Sequence, residues 1–127
     1  MSYHFSKIVE KSFNETIDSV VQELKKEGFG VLSNIDVQAA LKKHGVDFMQ
    51  YRILGACNPH FAHQALLAEP HIGTMLPCNV VVREMEDGGV EASAVDPLAS
   101  MRAVDNPALQ KIAAQIREKL QRVIASL

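Results

Sequence analysis

The sequence predicts an α+β sandwich in one domain, with about five mainly antiparallel strands and two long helices. Three observations carry that expectation. Residues 13–27 and 107–126 repeat apolar side chains at helical spacing. Between and around them lie short runs rich in β-branched and aromatic residues. Asp87-Gly88-Gly89 joins two of these runs as a hairpin turn, which makes that pair antiparallel. The expected order is β-α-β-(α)-β-α-β-β-α over residues 1–127, with no repeats, low-complexity tracts or linkers.

The run Tyr3 to Val9 is the first strand. Ser12-Phe13-Asn14-Glu15 follows as a capping box, in which Ser12 covers an early amide and Glu15 reaches back to the cap. Phe13, Ile17, Val20, Val21 and Leu24 then share one helix face, and Gly28 stands where a left-handed C-cap is needed. Phe29 to Ile35 is the second strand, expected to hairpin back over the helix. Asp36 caps a short helix that Gly45 ends, and Met49 to Cys57 is the third strand. Asn58 and Pro59 are an N-cap and an N1 proline, so a helix starts directly beyond Cys57 and stops before Pro70. A tight connection through Gly73 leads to the strand Pro77–Glu86, and Val90 to Val95 returns alongside it until Asp96-Pro97 breaks the run. Asn106 caps the last helix, with Pro107 at N1 and a stripe of Leu109, Ile112, Ala113, Ile116, Leu120, Val123, Ile124 and Leu127.

Composition limits the function. The chain has 127 residues, enough to bury a core without disulfides. A net charge of -2 offers no broad basic field for nucleic acid or anionic membranes. There is no signal-peptide core and no apolar run near the roughly 20 residues that span a bilayer. The expectation is a cytoplasmic protein whose two cysteines are thiols or ligands rather than a structural bridge. The strand from Pro77 alternates without a fully polar face, which points to a cleft or a subunit contact and, with it, a homodimer.

The chemistry concentrates between Leu54 and Cys78, which hold both cysteines and three of the five histidines. Cys57 ends a strand just before a helix N-terminus, where the dipole favours a thiolate. Cys78 opens the next strand with Pro77 setting its entry, and antiparallel pairing of the two strands would bring the thiols together. The alternative is that both are small buried hydrophobes. Zinc accepts mixed Cys and His ligands, but the spacing is poor, since no Cys-x-x-Cys pair exists. His60 and His63 fall on the solvated helix face, while His71, in a loop, is free to join Cys57 and Cys78. A soft metal could take both thiols with Met75 or Met101. Cys57 as a nucleophile would need a base, and His60 is nearest, without an orienting partner. Asp96 reads as a turn residue, and no phosphate-binding glycine loop, cofactor fingerprint or catalytic triad is present.

The run Tyr51-Arg52-Ile53-Leu54-Gly55-Ala56-Cys57-Asn58-Pro59, with Glu69-Pro70, Gly73, Leu76-Pro77-Cys78, Asp96-Pro97 and Met101, resembles the bacterial Domain of Unknown Function 302 family. The resemblance extends over nearly the whole chain and implies a single α+β domain with no established reaction. By position, Cys57, Asn58, Pro59, Pro77 and Cys78 match the family's characteristic pattern, whereas His60, His63 and His71 lie outside it, which leaves a site of the two thiols as the sharper expectation. The expected role is therefore binding or thiol-redox handling of a small molecule or soft metal around Cys57 and Cys78, with no assigned cofactor. Two other readings stay open. One is a non-catalytic homodimeric interaction module with structural cysteines, and the other is an enzyme with Cys57 as nucleophile.

Overall fold

The computed structural model describes residues 2–127. Its elements are β1 (His4–Val9), α1 (Phe13–Lys26), β2 (Gly30–Asp36), α2 (Val37–Lys42), β3 (Tyr51–Cys57), α3 (Pro59–Ala68), a 3-10 turn (Pro70–Met75), β4 (Cys78–Glu84), β5 (Val90–Val95), α4 (Pro97–Ser100) and α5 (Pro107–Ala125). The expected order holds, with two additions that the sequence reading missed. The connection through Gly73 is a 3-10 turn, and Asp96-Pro97 starts a short helix instead of only ending a strand. Asp96 Oδ1 accepts from the Leu98 amide at 3.0 Å, and its Oδ2 pairs with Arg117 Nε at 3.2 Å. It is thus a buried helix cap tied to α5, more than a turn residue.

The strands form one antiparallel sheet in the order β1-β5-β4-β3-β2. This corrects the expected hairpin of β2 back over α1. The first two strands lie at opposite edges, because β1 pairs with β5 and β2 with β3. All long helices cover one face. From α1, Val20 and Leu24 are buried with Thr16; from α5, Ile116, Leu120, Val123 and Ile124 join Leu54, Val80, Val82, Ala92 and Ala94 of the sheet. A second apolar cluster, Ala65, Ile72, Met101, Leu109 and Ala113, knits α3, the 3-10 turn and α4 to the start of α5. Among the described residues no helix is long and apolar enough to cross a membrane.

The capping chemistry read from the sequence largely holds. Ser12 Oγ accepts from the Glu15 amide at 3.2 Å and donates to Glu15 Oε1 at 3.0 Å. Asn106 Oδ1 accepts from the Ala108 and Leu109 amides, while its Nδ2 donates to the Ala68 carbonyl at 2.9 Å. That one side chain starts α5 and closes the end of α3. Gly28 takes φ +84, the left-handed conformation expected just past α1.

Candidate functional site

The register of the central strands sets the site. Ala56 of β3 pairs with Cys78 of β4, so Cys57 stands one residue beyond the start of the neighbouring strand. Both cysteines are free, Cys57 half-buried and Cys78 buried. Together they line one cavity of about 290 Å³ between the sheet, α3 and α5. The walls are otherwise almost wholly apolar and include Phe29, Ala62, Leu76, Met101, Ile112 and Ile116. Two lining side chains are exposed, Leu32 and Leu66, and they mark where the cavity meets solvent. Burial pushes the Cys78 thiol up to about 11, with a smaller contribution from Cys57 nearby. At neutral pH Cys78 is therefore a neutral thiol on an apolar wall.

Pro77 and Asn58 also line the cavity, and each has a structural reason for its position. A Cβ on Gly55 would collide with Ser33 Oγ and stand 2.8 Å from the Pro77 ring, so the bare backbone at Gly55 lets Pro77 lie against the sheet. Asn58 occupies the N-cap position of α3 but makes no side-chain capping bond. This corrects its expected role. Its Nδ2 instead donates to the Glu27 carbonyl at 3.2 Å, linking the end of α1 to the start of α3. Pro59 sits at the first turn of α3, is exposed and does not line the cavity.

The histidines are not brought to the thiols. His60 and His63 are exposed, and His60 Nε2 lies 3.2 Å from Gln64 Nε2 along the same helix. His71 is 94% exposed at its side chain, lies 3.5 Å from Glu69, and lines a separate groove with Thr74 and Met75. Among the described residues no three His, Cys, Asp or Glu side chains converge as a metal site. Of the two methionines considered as soft ligands, Met101 lines the thiol cavity and Met75 does not.

The sequence reading missed Leu32, Phe29 and the α5 residues Ile112 and Ile116 as parts of the site. Leu32 had a signal. The adjacent apolar pair Val31-Leu32 breaks strand alternation, and the register indeed shifts between Val31 and Ser33. Ile112 and Ile116 had none, because a cavity wall and a core stripe share the same helical spacing.

Residues 5–127 match the family described as Domain of unknown function DUF302. The chain belongs to the DUF302 family. A solved structure described as an uncharacterized conserved protein DUF302 from Bacillus stearothermophilus superposes with a TM-score of 0.92 at 33% identity, covering 98% of each chain. No curated protein matches. DUF302 membership thus brings a shared fold over essentially the whole chain and no reaction, so the chemistry of the DUF302 site rests on its own residues.

Proposed function

We propose that this DUF302 protein is a non-catalytic binding domain that takes a small, mostly apolar molecule in the cavity beside Cys57 and Cys78. The observation that carries this reading is the shared wall: both thiols line one apolar cavity whose size, about 290 Å³, falls near the lower end for small-molecule sites. Apolar contact would supply affinity, and the sulfurs of Cys57, Cys78 and Met101 would give a polarizable lining that suits a soft or sulfur-bearing ligand. A nucleophilic role for Cys57 has less support, since His60 does not line the cavity and neither does any other histidine. Thiolate ligation of a soft metal has less support too, because among the described residues no third His, Cys, Asp or Glu side chain converges with the two thiols.

The test uses the fluorophore N-phenyl-1-naphthylamine as an apolar probe. Saturable binding is expected, weakened about tenfold or more in Ala62→Phe, which narrows the cavity from a half-buried lining position. Methylthiolation of Cys57 should weaken it as well. Unsaturable binding, or binding that both changes leave intact in a folded protein, would defeat the proposal. Native mass spectrometry of protein purified without oxygen or chelator then distinguishes a retained organic molecule from a metal.

A further inference from the structure

Among the described residues, none of the long helices covers the second face of the sheet. Strand alternation and register place His4, Ser6 and Ile8 of β1, Glu91 and Ser93 of β5, Asn79, Val81 and Arg83 of β4, and Tyr51 and Ile53 of β3 on that side. Ser33 and Ile35 of β2 complete it. From these residues we propose that a second copy of this chain covers the face, giving a two-fold symmetric sheet-on-sheet dimer.

Four observations favour that occupant. First, several polar groups of the face already have partners within the chain. Arg83 Nε binds Glu91 Oε1 at 2.8 Å across the strands, His4 Nδ1 lies 2.6 Å from Ser6 Oγ, and Ser6 Oγ lies 2.8 Å from Ser93 Oγ. Covering the Arg83–Glu91 pair buries no lone charge, which is the main cost of burying a polar surface, and the Asn79 amide on β4 is left to bond across the interface. Second, large apolar side chains stand exposed at both edges, Tyr3 and Ile8 on the β1 side and Ile35 on the β2 side. The sheet order puts β4 in the middle. A two-fold axis along β4 therefore lays the β1 edge of each copy over the β2 edge of the other, Ile35 over the Ser6 row with Ile8 in the next row, and Val81 at the centre. Strands related in this way run nearly aligned, one of the two ordinary ways in which sheets stack.

Third, the area suffices. Five strands at ~4.8 Å spacing and ~20 Å long present on the order of 500 Å² in plan. Two such faces bury about 1,000 Å² before side-chain relief is added, which meets the lower bound of about 1,000 Å² for a specific interface. Fourth, the exposed edge of β2 is broken by the irregularity between Val31 and Ser33, which disfavours edge-to-edge pairing there. The face also holds a shallow hollow of about 410 Å³ walled by Tyr3, Tyr51, Asn79 and Arg83. Side chains of the second copy would fill it.

The test is sedimentation velocity of the full chain at micromolar concentration, with the Val81→Lys and Ser93→Lys variants beside it. The wild type should sediment as a dimer. Each variant should shift to monomer with an unchanged far-UV circular dichroism spectrum, because both side chains project from that second face. A monomeric wild type at about 100 µM, well above the micromolar range, would overturn the proposal. So would a dimer that survives in both folded variants, since it would use another surface. A wild-type monomer carrying a small molecule that Ser93→Lys displaces would assign the hollow to a ligand instead.

Discussion

At the scale of single residues, the two thiols differ in character although they share a cavity. Cys78 is buried against the core and its thiol is raised from 9.0 to about 11, mainly by burial. The consequence for stability has a definite sign. Below pH 9 both folded and unfolded chains keep this proton; between 9 and 11 the unfolded chain releases it while the folded chain holds it, so stability falls as pH rises. The two-unit rise corresponds to about 2–3 kcal/mol, of which about 2 kcal/mol is lost by about pH 10.5. Urea titrations at about pH 8 and about pH 10.5 should show this loss in the wild type and not in Cys78→Ala. Equal losses in both proteins would trace the effect to other groups. The proximity of the thiols was legible in the sequence, because a strand ending at Cys57 and another beginning near Pro77 meet if they pair antiparallel. The inequality between them was not, because it depends on the helices that bury Cys78.

Among the elements, α3 shows how a cap position can be read correctly while its contact is misjudged. Asn58-Pro59 located the helix start, yet the Asn58 amide reaches the Glu27 carbonyl rather than its own helix. The same carbonyl belongs to a residue whose carboxylate binds Arg122 Nη2 at 2.9 Å, so α1, α3 and α5 meet at Glu27. Aspartate is as good a helix cap as asparagine but has no amide to donate. Asn58→Asp should therefore lose stability much as Asn58→Ala does, about 1 kcal/mol. Chemical denaturation checks this, and an Asp variant as stable as the wild type would restore the capping role. The element boundaries followed from glycines, prolines and caps, which act locally. The placement of β2 at the edge opposite β1 did not follow, because neighbours in sequence need not be neighbours in the sheet, and nothing in Phe29–Ile35 specifies its partner.

On the scale of the whole molecule, the cavity lies along the seam between the two apolar clusters, taking Phe29, Ala56, Cys78 and Ile116 from one and Ala65 and Met101 from the other. The sandwich was legible because periodicity distinguishes helix from strand. The seam was not, since it arises where two separately packed groups fail to fill the space between them. The sheet order has one more consequence, and it concerns time. Strands β2, β3, β4 and β5 are successive neighbours, each able to pair with the one before it. By contrast β1 must wait for β5, with His4 meeting Val95 and Lys7 reaching the carbonyls of Ala125 and Leu127. Closing so long a loop carries the largest entropy loss in the sheet. Pulse-labelled hydrogen exchange during refolding should find the β1 amides protected last, after those of β3 and β4; early protection of β1 would contradict this order. On the ribosome, then, the strand made before all the others is the one that must go longest without a partner.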